Sequence, residues 1–196
     1  MNSNLQTALN IIKRYNNPSV SLLQVEMKIS QSEAESIIAQ LRSDGLLPTT
    51  SNLPLSSSST MTAKSSFSTK FDIDSIEGHS FEYYCADLLR YNGFSNIQVT
   101  SGSGDFGVDI LCQKSSLSYA IQCKKYSGNV GNHAVQEVVS GKIFYKCNKA
   151  IVMTNSYFTK AAYETARMTD VNLWDRGRLR EMHIIALENG FVPGKY

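Results

Sequence analysis

The sequence has little of anything that would announce a special environment. No apolar run approaches about 18 residues, the length that suggests a membrane span, and the N-terminal MNSNLQTALNIIKRY lacks the long apolar stretch of a signal peptide. Neither sign of charge dominates: 19 Lys and Arg stand against 17 Asp and Glu, a net +2. Without a strong basic field, electrostatics alone points to no nucleic-acid or membrane partner, and any such partner has to be argued from local sites. The four cysteines, Cys85, Cys112, Cys123 and Cys147, show no paired spacing, and three sit inside apolar runs. They read as small core residues in a reducing compartment. His79, His133 and His183 share no metal-ligand spacing and read as surface or packing residues. The expectation is a soluble, cytoplasmic protein with no membrane partner.

What is present is enough apolar material, 42% of 196 residues, for one ordinary domain and a small one. Between residues 51 and 70 the chain reads SNLPLSSSSTMTAKSSFSTK, with serine and threonine at eleven of twenty positions. A flexible linker is expected there, separating residues 1–50 from residues 71–196. In the first segment Leu5, Ala8, Ile11, Ile12 and Tyr15 have helical spacing, Asn17-Pro18 breaks the pattern, and a short helix is expected over 21–28. Ser30-Gln-Ser-Glu33 has the capping-box pattern that starts a third helix, with Ala34, Ile37, Ile38 and Leu41 inward and an end near Asp44-Gly45. Three short helices followed by an extended LLPTT suggest a winged helix-turn-helix.

Residues 4–48 also resemble the gamma domain of FtsK-type DNA translocases, a winged helix that reads DNA. The chain departs from that family in the early recognition helix. Ser32, Glu33 and Glu35 stand where the family offers an asparagine and an arginine, and acidic groups repel phosphate. A small helical domain for protein contacts is the other reading of this segment.

From about Ser75 the pattern is helix, hairpin, helix, strand, helix, strand, helix. GHSFEYYCADLLRYNGF places Phe81, Cys85, Leu88 and Leu89 on one helical face, with Asn92-Gly93 as the stop. NIQVT, DFGVDILC, SYAIQCKKY and KAIVMTN read as strands, with HAVQEVVSGKIFY a helix between the last two. The fold class expected is α/β, a mixed central sheet flanked by helices.

The segment GVDILCQKSSLSYAIQCKKY carries polar groups where core strands carry none. Strand alternation puts Ala120, Gln122 and Lys124 on one face. A hairpin turning at Ser115-Ser116 pairs 114 with 117, 109 with 122 and 107 with 124, about 4.5 to 5.5 Å apart at Cβ for opposed residues. Asp109 then stands beside Gln122, and Lys124 faces Gly107, whose missing side chain leaves room for a cation and a phosphate. The competing reading is a buried Asp109–Lys124 salt bridge that orients the hairpin, with Gln122 bonded to backbone. The chemical reading is phosphodiester hydrolysis. A hard divalent cation takes oxygen ligands from Asp109, the Gln122 amide and the Cys123 backbone carbonyl. Lys124 then holds or deprotonates the attacking water and offsets transition-state charge.

GHSFEYYCADLLRYNGF, VTSGSGDFGVDI, YAIQCKKY, AIVMTNSYFTKAA and LWDRGRL, taken in order over residues 76–182, resemble the motifs of the Mrr-type restriction endonuclease family, a branch of the PD-(D/E)xK nucleases. The resemblance implies a restriction-endonuclease-like fold and a Mg²⁺-dependent DNA endonuclease, with Mn²⁺ as the substitute ion and no small-molecule cofactor. Asp109, Gln122 and Lys124 match the family's D…QxK core, and Glu82 matches the acidic residue of its first helix, so that Glu82 can restore the charge lost by having Gln122 in place of a carboxylate. The alternative role of Glu82 is a charge favoured by the helix dipole.

Asp105 reads as part of a glycine-rich turn. Gln136 either touches substrate or faces solvent, and Tyr126 and Trp174 either stack on bases or sit in the core. Thr154, Asn155 and Thr159 read as strand-end and helix-cap punctuation. The partner implied is DNA, with a homodimer allowed, and the roles implied are restriction of modified DNA or DNA repair. A Holliday-junction-type nuclease and a non-cleaving DNA-binding or adaptor protein with a nuclease fold are the other readings.

Overall fold

The computed structural model describes residues 3–15, 18, 20–47, 72–100 and 106–193. The expected linker over 51–70, most of the segment expected to form a wing, and Asp105 lie outside these residues. Three helices open the chain: α1 (Ser3–Tyr15), α2 (Val20–Met27) and α3 (Gln31–Ser43). Their shared core includes Ala8, Ile12, Leu23, Ala34, Ile38 and Leu41, residues at helical spacing. The capping box forms as expected. Ser30 Oγ accepts from the Glu33 amide, and Glu33 Oε2 accepts from the Ser30 amide at 2.9 Å. Asp44 caps the other end, with Gly45 following at φ +69°.

A 3-10 turn at Ile73–Ser75 leads into α4 (Gly78–Tyr91). The rest alternates as β1 (Ser95–Val99), β2 (Ile110–Lys114), β3 (Leu117–Lys124), α5 (Asn132–Phe144), β4 (Lys149–Thr154), α6 (Lys160–Thr169), β5 (Val171–Trp174) and α7 (Arg176–Glu188). The strands form one mixed sheet in the order β1-β2-β3-β4-β5. Its first three strands are antiparallel neighbours, and β3, β4 and β5 run parallel.

The β2–β3 register matches the expected one, with Lys114 opposite Leu117 and Ile110 opposite Ile121. Ser115 and Ser116, both at positive φ, make the turn. The register ends at Ile110 opposite Ile121, so Asp109 lies just outside the ladder.

Helices cover both faces. On one, Phe81, Leu88 and Leu89 of α4 and Leu179 and Met182 of α7 pack on Ile110, Ile121, Ile151 and Met153. On the other, Val135 and Val138 of α5 and Ala162 and Tyr163 of α6 pack on Ala120, Ala150 and Val152. Each large apolar side chain fully enclosed in this way contributes about 1.5–3 kcal/mol. Strands covered on both sides lose the polar alternation of a solvated sheet. Accordingly Ala150 through Thr154 are buried without a break, as are Ala120, Ile121 and Gln122.

The opening helices touch this domain. Leu22 of α2 joins the α5–α6 core, Glu26 faces Lys160 at 3.5 Å, and Arg42 bonds Glu181 at 2.6 Å. Among the described residues no helix is long and apolar enough to cross a membrane.

Candidate active site

Gln122 is 3% exposed in the middle strand of the sheet, so its amide has to find partners within the protein. Its Nε2 donates to Glu137 Oε2 of α5 at 2.9 Å. Lys124, two residues on and therefore on the same face, places Nζ 3.0 Å from the same oxygen. The other carboxylate oxygen, Oε1, lies 3.1 Å from His133 Nδ1, one helical turn earlier. Burial raises the Glu137 carboxyl, but the bonds from Lys124 and Gln122 and the nearby charges of Lys124 and His133 outweigh it and hold the group below the usual carboxylate range.

Two glycines let α5 come this close. A Cβ on Gly107 would lie 2.7 Å from Glu137 Cβ, and Gly107 has φ +73°. One turn further along the helix, a Cβ on Gly141 would lie 2.1 Å from Val108 Cγ2 and 2.9 Å from the Phe106 carbonyl oxygen. The turn before β2 and the helix face at 137 and 141 are thus docked backbone to backbone. This corrects the expectation that the place opposite Lys124 is open: Glu137 occupies the side of Gly107. It also corrects the salt-bridge reading, because the Lys124 ammonium pairs with Glu137 rather than with Asp109.

Asp109 sits where the chain leaves the ladder. Its amide donates to the Ile121 carbonyl at 2.8 Å and its carbonyl accepts from the Thr100 amide at 2.9 Å. Its Oδ2 accepts from the Cys123 amide at 2.6 Å. The carboxylate thereby takes a main-chain donor between Gln122 and Lys124 and is tied to the strand that carries both.

Glu82, in α4, is half-buried and lies 3.1 Å from His79 Nδ1. Asp109 and Glu82 both bear on the Cys123 thiol. Burial first, then a hydrogen bond with Cys85 and the charges of Cys85, Asp109 and Glu82, push that thiol well above its ordinary range. Cys123 is therefore a neutral thiol. Gln122, Lys124 and Glu137 meet on the face of β3 that α5 covers.

One atom is left over. Gln122 Oε1 is buried and has no hydrogen-bond partner, which costs about 1–3 kcal/mol if nothing else satisfies it. Among the described residues no three His, Cys, Asp or Glu side chains gather as a metal-binding group. A cation here would depend on amide and main-chain oxygens beside the carboxylates. A hard divalent ion accepts those donors, so an unsatisfied amide oxygen one residue before the amide that Asp109 binds fits it.

Gln136 is exposed beside Glu137, and Tyr126 is 57% exposed with its amide bonded to Asn155 Oδ1 at 2.7 Å. Trp174 packs at the edge of the α4–α7 core. Glu137 is the residue that sequence reasoning missed. Its signal was Gly141: a glycine inside a helix costs about 1 kcal/mol relative to alanine and marks a close approach, and Glu137 shares its face.

A mixed five-stranded sheet between helical layers, with a carboxylate just before β2 and an amide and an ammonium near the end of β3, has the architecture of the restriction-endonuclease-like fold. The profile of the Mrr catalytic-domain family, described as "Restriction endonuclease", matches residues 73–183, and the chain belongs to that family, with a deoxyribonuclease-type domain in its second part.

Similar solved structures include the DNA modification-dependent restriction endonuclease AspBHI, at 20% identity over 56% of this chain and 30% of that one with a TM-score of 0.42. MspJI restriction endonuclease in complex with a 27-mer oligonucleotide is similar at 19% identity over 58% of this chain and 30% of that one, TM-score 0.44. A protein of unknown function, AF1548, is similar at 16% identity over 57% of this chain and 66% of that one, TM-score 0.43. This chain therefore spans less than a third of the length of the two restriction enzymes. No curated protein matches it.

Proposed function

We propose that the protein is a Mg²⁺-dependent DNA endonuclease that hydrolyses phosphodiester bonds and leaves a 5′-phosphate and a 3′-hydroxyl. The observation that carries this reading is the buried, unpartnered Gln122 Oε1 on the strand whose amide at Cys123 is bound by Asp109. A cation would be held by Asp109, Gln122 Oε1, the Cys123 main-chain carbonyl and Glu82. When bound it would supply Lewis-acid stabilisation of charge on the phosphate oxygens and lower the pKa of a bound water.

The chain's own groups do the rest. Asp109 fixes the strand pair through its bond to the Cys123 amide. Lys124 presents a cation to the water and to the phosphate, where negative charge grows in the transition state. Exposed Tyr126 and Gln136 are the candidates for DNA contact beyond the reacting phosphate.

For the organisation of the chain, the proposal is a helical module over 1–50, a tether over 51–70 and the nuclease domain over 71–196. The helical module directs the nuclease to its DNA or to a protein on it. Limited proteolysis tests this division: first cleavage within 51–70 supports it, and a tether that resists protease counts against it.

The decisive experiment is nicking of supercoiled plasmid with Mg²⁺, with and without EDTA. Cleavage that EDTA abolishes supports the reading. Binding without cleavage under every metal and substrate condition would indicate a nuclease fold kept for its shape. Methylated, unmethylated and four-way-junction DNA in parallel separate restriction of modified DNA from junction resolution.

A further inference from the structure

We infer that Glu137 is a positioning residue of this site: its carboxylate turns the Gln122 amide so that Oε1 is left for a cation, and it steadies the Lys124 ammonium. The inference rests on the nuclease reading for its chemistry and on geometry for its direction.

A carboxylate can only accept hydrogen bonds. Facing Glu137 Oε2 at 2.9 Å, Gln122 has to offer its NH₂ group, since the opposite flip would set two acceptors against each other. The amide oxygen is thereby forced to the other side, where it is buried and unpartnered. An amide whose orientation were free would turn its oxygen toward any donor nearby, and Lys124 Nζ is such a donor. Glu137 removes that option, because Lys124 Nζ is itself held 3.0 Å from the same Oε2.

The docking of α5 fixes the carboxylate in turn. Gly107 passes the Glu137 Cβ and Gly141 passes Val108, each too closely for any side chain. His133, at 3.1 Å, takes the second oxygen.

This explains why the strand carries glutamine where the wider superfamily pattern has a carboxylate. A glutamate at position 122 would face Glu137 across a distance now spanned by a hydrogen bond, and the two charges would repel. The negative charge sits instead on the neighbouring helix.

The test uses the full chain and three readouts: Mn²⁺ affinity by calorimetry, plasmid nicking as a function of Mn²⁺, and melting temperature. Glu137→Ala should lower Mn²⁺ affinity by about tenfold, the usual scale for an outer partner of a metal ligand. Glu137→Gln keeps an oxygen for Gln122 once its own NH₂ turns to His133. Its Mn²⁺ affinity should stay within about twofold of wild type, while the nicking rate at saturating Mn²⁺ falls about tenfold for want of the charge beside Lys124. Gln122→Glu alone should impair both readouts, and Gln122→Glu combined with Glu137→Gln, which moves the carboxylate from helix to strand, should recover Mn²⁺ binding.

A Glu137→Gln variant that nicks at the wild-type rate, or a double variant no better than Gln122→Glu, would overturn the inference. If Glu137→Ala does not fold, the two isosteric variants carry the test alone. Failure of the underlying reading looks different. Wild type then nicks no plasmid while the Mn²⁺ titrations still report on Glu137, and Asp109→Ala binding Mn²⁺ as wild type does removes the metal site and the inference with it.

Discussion

Two polar clusters sit at the ends of neighbouring strands, and they differ in how completely they are satisfied. At the end of β4, Asn155 is 3% exposed. Its Oδ1 accepts from the Tyr126 amide at 2.7 Å, its Nδ2 donates to Asp74 at 2.8 Å, and its carbonyl accepts from Arg176 Nε at 2.8 Å. Arg176 and Lys125 complete the ring around Asp74. Thr154 and Ser156 bond the Lys124 and Gly128 carbonyls at 2.7 and 2.6 Å. At the end of β3, by contrast, Gln122 is equally buried but keeps an oxygen without a partner. A saturated network holds the loops together, whereas the unpartnered oxygen is where the proposed cation would bind.

The largest expected effect separates the two clusters by function. Asp109→Ala and Lys124→Ala should each lower plasmid nicking by at least about a hundredfold, the scale of a lost electrostatic stabiliser, with folding intact by circular dichroism. Wild-type nicking by either variant would break the assignment. Addition of EDTA to the wild-type protein should match these losses and be reversed by excess Mg²⁺.

Next is Gly141→Ala, which acts on the joint that carries Glu137 into place. The added methyl meets Val108 Cγ2 at 2.1 Å, an overpacking that should cost about 1–3 kcal/mol and lower nicking as well, read by denaturant melts alongside the plasmid assay. A variant as stable and active as wild type would mean that α5 does not need its close seat.

Asn155→Ala inverts the pattern. Leaving the Tyr126 amide and Asp74 without their partner should cost about 1–3 kcal/mol and lower the melting temperature by several degrees, while Mn²⁺ affinity stays as in wild type. A change in Mn²⁺ affinity larger than the change in stability would make the second cluster part of the site.

The smallest effect is a pH dependence. Burial raises the Asp74 carboxyl, but Asn155, Arg176 and Lys125 outweigh it and hold the group below its usual 3.8. A carboxyl depressed in the folded state contributes stability above its unfolded value and loses it as pH falls through the folded one. Asp74→Asn should therefore melt below wild type at pH 6, and the gap should close as pH falls below about 3.8. A gap that persists unchanged well below that pH would assign the loss to shape rather than charge.

Much of this was legible in advance for local reasons. The Ser30–Glu33 capping box, the Ser115-Ser116 turn, the Thr159 cap on the Ala162 amide and the apolar face of Phe81, Cys85, Leu88 and Leu89 all depend on residues a few positions apart. The β2–β3 register followed from counting outward from the turn, but the expected 109–122 pair does not continue it, because Asp109 leaves the ladder and binds the Cys123 amide. The partner of Lys124 was not legible. Strand alternation names the face on which a side chain lies, but not what the opposing layer brings to it.

The sequence by itself determined the order of helices and strands, the hairpin register and the D…QxK residues that mark the family, because periodicity, caps and turn chemistry act over one or two turns of chain. Only the tertiary structure decided that Glu137 takes both Gln122 and Lys124, that Gly107 and Gly141 are glycines for the sake of that contact, and that one amide oxygen is left unpartnered. Those facts depend on how closely a helix seats on a sheet, which is set by packing between segments distant in the chain. Nearest-neighbour spacing along the chain carries no record of that distance.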